Sequence, residues 1–301
     1  MAETTADTVM EVPLDPRDPL WLRVLKAMAL IRESGVGMLG AAIVAFWVLV
    51  AIFADFLAPF DPLATLQPMA TTATAQADTG KVFWLGTDHI GRDILSRIIF
   101  GSRTVLIWAT VATLSAYLVG IIMGLAAGYF RGWWDSILSF FGDVILAFPV
   151  LVLYVLIITT IGPSALNIVI AVTFASAPGI MRIVRGLVLD LRTRDYVAAA
   201  QTRGETPLYI MLVEILPNAR GPLIVDSCLR LGYVTITIGV LGFLGLGLPP
   251  PDPDWGGMIN ETRSMAMIFP HMTVYPCLAI SSLVLGLNLL ADGLREISLR
   301  D

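Results

Sequence analysis

Residues 102–129 read SRTVLIWATVATLSAYLVGIIMGLAAGY, and this stretch decides the fold class. Arg103, near its start, is its only charged residue. About 20 predominantly apolar residues are enough for a helix to cross the hydrocarbon core of a bilayer. In lipid such a segment must be helical, because no water is present to bind unpaired backbone groups. The stretch therefore predicts a transmembrane helix.

Five further stretches have the same character, and they cover residues 35–57, 136–161, 165–185, 222–247 and 271–291. The sequence thus predicts an all-α integral membrane protein with six transmembrane helices. The composition agrees, since 56 % of the 301 residues are hydrophobic, 14 % are charged and the mean hydropathy is +0.80. A soluble core cannot hide that much apolar side chain.

Charge and metal-ligand content exclude several classes of protein. The net charge of −5 argues against a nucleic-acid-binding protein, which needs a basic face. Cys228 and Cys277 lie in apolar stretches, which favours buried thiols over a disulfide framework. His89 and His271 are far apart in the sequence, so no metal site is expected.

The distribution of Lys and Arg predicts the orientation in the membrane. With the N-terminus inside, thirteen of these residues fall on the inner side and five on the outer side, and Arg230 falls within the fifth span. Both termini are therefore predicted to be cytoplasmic, with 59–101 external and 186–220 forming the large internal loop. Residues 1–20 lack the apolar core of a signal peptide, so the first span is expected to remain as an anchor.

The external segment changes character along its length. Thr/Ala-rich residues 70–79 have the composition of a connector. Ile90, Ile94 and Ile98 then follow at helical spacing, and Asp88/Arg92 and Asp93/Arg97 are spaced i, i+4 as surface ion pairs would be. This pattern predicts an amphipathic helix at the outer interface, ahead of the second span.

Several residues within the spans are candidates for packing, gating or a transport pathway. Gly120, Gly124 and Gly128 recur every four residues, which favours close helix packing. The remaining candidates each have two interpretations, one structural and one in the pathway or gate, and they are Asp143, Pro149, Asp226, Arg230 and Gly245. Pro149 predicts a bend in the third span. Asp226 and Arg230 are spaced i, i+4 and either neutralise each other or line a pathway.

The internal loop encodes two short helices separated by a sharp turn. Ala198, Ala199 and Ala200 favour a helix that Gly204 ends, and Thr206 with Pro207 begins a second one. The second helix is predicted to bury Leu208, Met211, Leu212 and Ile215 on one face and to stop at Pro217. From these residues alone, an ordinary surface hairpin and a helix that docks in a partner's groove are equally favoured.

The loop also resembles a known element. YVAAAQTRG at 196–204 and EILP at 214–217 resemble the EAA loop of binding-protein-dependent ABC importer permeases. The resemblance marks the following as residues that couple the permease to an ATPase: Tyr196, Ala198, Ala199, Ala200, Gly204, Leu216 and Pro217. This chain departs from the pattern at two positions, where Ala198 replaces the usual Glu and Glu214 replaces an Ile.

Further motifs extend the resemblance along nearly the whole chain. LAPFDP at 57–62, LGTDHIGRDILSR at 85–97, LGFLGLGLPPP at 241–251 and NLLADGLR at 288–295 look like signatures of the dipeptide, oligopeptide and nickel branch, C-type subunit. The resemblance implies a type I ABC importer permease fold in a bacterial inner membrane. The implied domains are 1–34, a cytoplasmic segment; 35–101, the first span with the periplasmic segment; 102–293, the permease domain; and 294–301, a cytoplasmic tail.

The implied partners are a second homologous permease, two ATP-binding subunits that hold ATP and Mg, a periplasmic solute-binding protein and the lipid bilayer. No cofactor, catalytic residue or nucleic acid is expected for this chain. The glycine motif at 35–40 opens a membrane helix rather than following a strand, and no G-x-x-x-x-G-K-[ST] is present. Peptides are the expected substrates, with nickel, opines, glutathione or oligosaccharides as alternatives. A stand-alone secondary transporter is the second class of function.

Overall fold

The computed structural model describes residues 34–66, 75–76, 80, 82–248 and 252–298. The predicted cytoplasmic segment before residue 34, most of the Thr/Ala-rich connector, the prolines at 249–251 and the end of the tail lie outside these described residues.

The described part of the chain is mostly helical, which confirms the predicted fold class. The helices are α1 (Gly35–Ile52), α2 (Ala54–Leu57), α3 (Ile94–Phe130), α4 (Gly132–Leu146), α5 (Val150–Ile161), α6 (Ala165–Leu191), α7 (Asp195–Thr202), α8 (Pro207–Tyr209), a π-helical turn (Ile210–Ile215), α9 (Leu216–Asn218), α10 (Arg220–Phe243), α11 (Trp255–Thr262), a 3-10 turn (Arg263–Met265) and α12 (His271–Ser298). Two short strands, β1 (Ala75–Gln76) and β2 (Val82–Phe83), pair antiparallel within the segment between α2 and α3.

Five helices in the described part of the chain are long and apolar enough to cross a membrane: α1, α3, α6, α10 and α12. The third predicted span, 136–161, is not one helix. It is divided between α4 and α5, which meet at an angle of 89°. The count of six is therefore reached only if this bent pair is taken as one span.

Pro149 explains the break. It occupies the N-cap position of α5, and a proline inside a helix lacks the N–H for one hydrogen bond and clashes with the preceding turn. The predicted bend is confirmed, but it is a complete interruption between Leu146 and Val150. At 15 and 12 residues, α4 and α5 are about 22 Å and 18 Å long, so neither alone crosses a hydrocarbon core of about 30 Å.

The bundle has two ends, which we name by the segments they carry. The outer end carries residues 58–66, 82–93 and 252–270, and the inner end carries residues 192–219. An apolar cluster lies beneath each end and a third lies between them. The outer cluster centres on Trp255, whose ring lies edge-on to Trp47 with centroids 4.9 Å apart. The inner cluster includes Val197, Ile210 and Ile215 and so attaches the 192–219 segment to α3 and α6.

The helical turns predicted ahead of the second span exist, but they are the first turns of α3 and not a separate interfacial helix. With 37 residues α3 is about 55 Å long, so it extends well beyond the hydrocarbon core. Ile94 and Ile98 share a buried face of α3, whereas Ile90 lies in the preceding turn and is exposed. Gly91, with φ +85°, takes a left-handed conformation that keeps this turn out of the helix. The predicted boundary between residues 101 and 102 lies inside α3.

The start of α3 also corrects one predicted ion pair. Asp93 is the N-cap residue, and its carboxylate accepts hydrogen bonds from the Ser96 N–H (2.8 Å) and hydroxyl (2.6 Å). Because Asp93 has extended backbone angles, the i, i+4 geometry of a helix does not apply to it, and Arg97 binds other carboxylates. The Asp88–Arg92 pair is present at 2.6 Å, but both side chains are buried instead of lying on the surface.

Close packing between α3 and α6 depends on the predicted glycine row. A Cβ atom at Gly120, Gly124 or Gly128 would lie 2.5–2.7 Å from the Cβ of Ile180, Val184 or Val188, respectively. Lipid tails are as apolar as these side chains, so helices in a membrane associate through close van der Waals contact and not through a hydrophobic driving force. The packing interpretation of these glycines is confirmed.

The glycines at 35–40 have a similar role in the contact between α1 and α12. A Cβ at Gly40 would lie 2.3 Å from the backbone N of Leu290, and a Cβ at Gly37 would lie 3.1 Å from the Cα of Gly293. This contact confirms that the motif packs helices.

We predict that Gly124→Val separates α3 from α6, because its side chain must displace Val184. The free energy of unfolding should fall by about 1–3 kcal/mol or more, as for other overpacked sites. The measurement is the apparent melting temperature of purified protein in detergent. Gly186→Ala is the matched control on α6, because no atom lies within 4 Å of its Cβ position and alanine favours helix over glycine by about 1 kcal/mol. Equal melting temperatures for Gly124→Val and the wild type would contradict this account.

Candidate functional site

The predicted internal loop forms a helix, a reversal and a second helical segment at the inner end. Gly204, with φ +79°, terminates α7 as predicted. The Glu205 N–H donates to the Ala200 carbonyl (3.2 Å) and the Gly204 N–H donates to the Gln201 carbonyl (2.9 Å), which is the Schellman pattern. Thr206 then caps the next segment by accepting from the Tyr209 N–H (3.3 Å).

The second segment differs from the prediction in two ways, and it contains a π-helical turn. Pro207–Tyr209 and Leu216–Asn218 are α-helical, but Ile210–Ile215 between them is a π turn. A proline clashes with the carbonyl four residues earlier in an α-helix, and the i to i−5 bonds of a π turn relieve this clash. The Leu216 N–H accordingly donates to the Met211 carbonyl, so the chain remains helical through Pro217 and the predicted stop is wrong.

The buried side chains of this segment also differ from those predicted. The predicted apolar face is split, since Met211 and Ile215 are buried whereas Leu208 is 63 % and Leu212 47 % exposed. Ile210 is buried in their place. The segment therefore presents large apolar side chains outward from the inner end, and these are Leu208, Tyr209, Leu212 and Val213.

The remaining predicted coupling residues surround this surface. Ala198 and Ala199 are exposed on α7, Ala200 is buried against the inner cluster, and Leu216 is half-buried. The Tyr196 hydroxyl is buried without a hydrogen-bond partner among the described residues, and desolvation raises the pKa of Tyr196.

Glu214, which departs from the EAA pattern, bridges the two arms of the loop. Its carboxylate accepts from the Arg203 guanidinium at 3.3 Å, and its backbone carbonyl accepts from the Asn218 amide at 2.6 Å. Arg203 immediately precedes the reversal at Gly204. The pair therefore holds the end of α7 against the π turn.

The ionisable residues of the fifth span form a polar group with the second span. Asp226 accepts from the Arg230 Nε at 2.8 Å, as its spacing predicted, and also from the Tyr117 hydroxyl of α3. The Arg230 guanidinium packs against Gly179 of α6, where a Cβ would lie 3.4 Å from Nη1. The structural pair is thus present, and its role in a pathway stays a prediction.

The break between α4 and α5 has an ion pair on its α4 side. Asp143, in the last turn of α4, binds Arg182 of α6 at 2.5 Å, and both side chains are exposed. A second pair, Asp135–Arg185, is bidentate, with N–O distances of 2.5 and 2.7 Å. These contacts fasten α4 to α6, and a gating role for Asp143 or Pro149 stays a prediction.

Sequence reasoning did not find the charge cluster of the outer end, which joins α3 to α11. Arg97 donates to Asp88 (3.2 Å) and to Glu261 (3.1 Å), and Arg92 binds the same two carboxylates. Glu261 lies 164 residues from Arg97, so no local spacing could reveal the pair.

Asp88, His89 and Glu261 bring ligand atoms within 4.8 Å of one another, but the two guanidiniums already neutralise both carboxylates. A metal ion is therefore disfavoured there.

Asp254 connects the end of α10 to the start of α11. Its carboxylate accepts from the N–H groups of Gly256 (3.4 Å) and Gly257 (3.0 Å), and a Cβ at Gly242 would lie 2.2 Å from Oδ2. Burial raises the pKa of Asp254 to about 6, with the nearby Glu261 charge acting in the same direction. Gly245, with φ +76°, ends α10 beside this contact, and its role in gating stays a prediction.

The helical membrane bundle and its inner loop define a permease of the type I ABC importer fold. A solved structure titled as an inward-facing conformation of the MetNI methionine ABC transporter aligns with a TM-score of 0.53 and 18 % identity, over 68 % of this chain and 96 % of that chain. At this identity the likeness concerns the fold alone.

Sequence comparisons identify the family. The chain matches the family "Binding-protein-dependent transport system inner membrane component" over residues 116–301, and "N-terminal TM domain of oligopeptide transport permease C" over residues 27–74. The glutathione transport system permease protein GsiD of Pectobacterium atrosepticum is 36 % identical over 93 % of this chain and 90 % of the relative. The dipeptide transport system permease protein DppC of Alkalihalophilus pseudofirmus is 35 % identical over 90 % and 88 %. The chain belongs to this family and is a C-type permease subunit of an ABC importer.

We predict a pH dependence of stability that comes from Asp254. The pKa of Asp254 is about 6 in the folded protein and about 4 in the unfolded chain. Between these two pH values the folded protein keeps a proton that the unfolded chain has lost. The contribution of Asp254 to the free energy of unfolding therefore falls as the pH rises from about 4 to about 6, and it is constant above that range. Asp254→Asn keeps a cap acceptor without the charge. The apparent melting temperature of Asp254→Asn relative to wild type should therefore rise between about pH 4.5 and about pH 7, by the equivalent of up to about 3 kcal/mol.

The control for this measurement is the exposed neighbour Asp252, whose substitution Asp252→Asn should show no such trend. A constant difference between Asp254→Asn and the wild type across the pH range would mean that Asp254 is ionised throughout.

Proposed function

We propose that this chain forms, with a second homologous permease, the membrane path of an importer for dipeptides, glutathione or molecules of similar chemistry. Two ATP-binding subunits would drive it from the inner end and a solute-binding protein would deliver substrate to the outer end. Two relatives are named as glutathione and dipeptide transport permeases, and these names support the substrate class.

The observation that carries the proposal is the exposed apolar surface of the inner loop. Leu208 and Leu212, with Val213 beside them, project from a loop that the inner cluster holds firmly from below. Large apolar side chains that remain exposed on a charged loop are typical of a protein–protein contact. A short helix with such a face fits the groove of a partner, and the resemblance of the loop to the EAA element supports the ATP-binding subunit as that partner.

The coupling mechanism follows from how the loop is attached. The π turn continues through α9 to Ala219 and then into α10, so a displacement of the loop is passed directly to a transmembrane helix. The ATP-binding subunits, once closed, would bind one arrangement of the loops more tightly than the other. That difference in binding energy would shift the two permeases between inward and outward access.

Under this proposal the inner end faces the cytoplasm, as the charge bias predicts, and the chain performs no covalent chemistry. ATP and Mg would be held by the partner subunits, and this chain's own residues would position the loop and line the path.

A stand-alone secondary transporter is the alternative. It would transport without ATP, and such proteins usually use unpaired ionisable groups within the membrane. Here Asp226 and Arg230 bind each other.

We predict that the chain, tagged and extracted gently from native membranes, copurifies with two ATP-binding subunits and a second permease. Leu212→Ser should lower the recovery of the ATP-binding subunits about tenfold or more, because the leucine is a central apolar contact of the proposed interface. Leu63→Ser is the control, since Leu63 is similarly exposed but lies at the outer end. Recovery of the chain alone, with ATP-independent transport in liposomes, would replace the proposal with a secondary transporter.

We predict that Gly204→Asp uncouples transport from ATP hydrolysis. No atom lies within 4 Å of a Cβ at Gly204, so the substitution creates no clash, but the left-handed backbone costs a non-glycine residue about 1–2 kcal/mol. Substrate uptake should fall while ATP hydrolysis by the assembled complex continues. Gly204→Asn has the same shape and separates the effect of charge from that of bulk. Normal uptake by Gly204→Asp at normal expression would rule out the coupling role of this turn.

A further inference from the structure

A small cavity of about 50 Å³ lies within the bundle, where α3, α5, α6 and α10 meet. It is at membrane depth, because Ser176 and Arg230 lie near the middle of the spanning helices α6 and α10. About 10–15 Å³ is enough to hold one water molecule, so the cavity can take a few waters or one small polar group. Its polar wall is formed by Thr113, Tyr154, Ser176, Arg230, Tyr233 and Thr237.

The charge of the cavity wall is positive. In the part of the chain that the structure describes, Arg230 is the one charged residue that lines the cavity, and its partner Asp226 is not part of the wall. The Tyr154 hydroxyl lies beside the hydroxyls of Ser176 and Thr237. The rest of the polar wall therefore consists of groups that form hydrogen bonds without carrying a charge. Such a wall favours an anionic group.

The contacts of Arg230 orient its guanidinium and leave two nitrogens available. The Asp226 carboxylate accepts from Nε at 2.8 Å, and the Tyr117 hydroxyl, which also donates to Asp226, lies beside the guanidinium. Nη1 and Nη2 donate to no carboxylate among the described residues, and neither is a fully buried atom. The N–H groups of a guanidinium are spaced to bind a carboxylate through two parallel hydrogen bonds. Asp226 thus positions an arginine that remains able to bind a second carboxylate.

The position of these residues in the membrane supplies a second and independent indication. Asp226, Arg230, Tyr233 and Thr237 follow one another at intervals of four, three and four residues, so they lie on one face of α10. The Arg230 side chain is 22 % exposed and Tyr233 is 64 % exposed. An arginine at membrane depth almost always faces the interior of a bundle or a water-filled cavity, because its charge is costly in lipid. This face of α10 therefore borders a polar space.

We propose that this cavity binds the carboxylate end of the transported molecule on its way along the path. The carboxylate accepts from Nη1 and Nη2 of Arg230, and the hydroxyls of Ser176 and Tyr154 offer further hydrogen bonds. The cavity is too small for a whole dipeptide, so the remainder of the molecule lies outside it, beside Tyr233. Dipeptides and glutathione each have a free carboxylate, so one site serves both.

This inference rests on the proposed function and deepens it, because it adds a place inside the membrane where the permease itself recognises its substrate. A site on a transport path must release what it binds, so its affinity is expected to be weak. Weak binding requires a measurement that detects rapidly exchanging ligands.

The test measures the Kd of alanyl-alanine for the complete complex of permeases and ATP-binding subunits, purified without its binding protein, by saturation-transfer difference NMR. Alanyl-alanine amide, which keeps the ammonium group but lacks the carboxylate, should bind the wild type about tenfold more weakly. Arg230→Lys keeps a positive charge beside Asp226 but loses the paired N–H groups. It should raise the Kd of alanyl-alanine about tenfold and leave that of the amide unchanged.

Two further variants complete the design. Arg182→Lys is the matched control, because Arg182 also binds an aspartate but does not line the cavity, and it should change neither Kd. Ser176→Ala leaves the Asp226–Arg230 pair intact and should raise the Kd of alanyl-alanine about fivefold, as expected for the loss of one hydrogen bond. It keeps the test decisive if Arg230→Lys fails to assemble.

Equal affinities of the wild type for alanyl-alanine and its amide would overturn the inference. So would an Arg230→Lys complex that loses affinity for both probes alike, because the role of Arg230 would then be structural. ATP-driven uptake by the wild type is measured in parallel. If the assembled complex takes up dipeptides but shows no preference for the free carboxylate, the proposed importer stands and this site does not, whereas a failure to assemble with ATP-binding subunits refutes the importer itself.

Discussion

The close contact between α3 and α6 is the constraint on which the rest of the bundle depends. Lipid supplies no hydrophobic force to bring helices together, so their separation is set by how nearly the backbones can approach. Gly120, Gly124 and Gly128 present bare backbone on the α3 side of this contact, and Ile180, Val184 and Val188 fill the space opposite them. The inner cluster that holds the loop is built directly on α3 and α6, since it includes Val184 and Val188. The position of the loop is therefore determined by the glycine row.

Ion pairs hold in place those helices whose positions the apolar contacts alone do not determine. Asp135–Arg185 and Asp143–Arg182 hold α4 against α6, although α4 is too short to span the membrane and α5 leaves it at 89°. At the outer end Arg97 is shared between Asp88 and Glu261 and so joins α3 to α11. Asp88 and Arg97 are both deeply buried, and their mutual pairing and hydrogen bonds offset the high cost of desolvating them.

The sequence predicted those features that depend on local pattern or on a family signature. The five unbroken spans, the packing glycines, the Gly204 reversal and the Asp226–Arg230 pair all follow from spacing along one helix or turn.

The features that the sequence did not predict depend on contacts between distant residues or on a change of helical type. Nothing near Arg97 indicates Glu261, and hydrophobic periodicity at 3.6 residues per turn cannot anticipate a π turn at Ile210–Ile215. The predicted apolar face was wrong at Leu208 and Leu212, which are exposed, and Leu212 lies within that π turn. Asp254 could have been identified as an N-cap, but its burial depends on Gly242 of another helix.

The helix α10 links the two ends of the molecule through a single rigid element. It follows directly from the inner loop at Ala219, carries Asp226 and Arg230 in its inner half, and ends where Gly242 meets Asp254. With 24 residues it is about 36 Å long, which matches the thickness of the membrane. The Tyr117–Asp226 bond and the contact of Arg230 with Gly179 tie its inner half to α3 and α6. A displacement of the loop must therefore either move α10 as a unit or break these contacts. Because Gly242 at the end of the same helix packs against Asp254, motion of α10 as a unit changes that contact, so the inner loop and the start of α11 are mechanically connected.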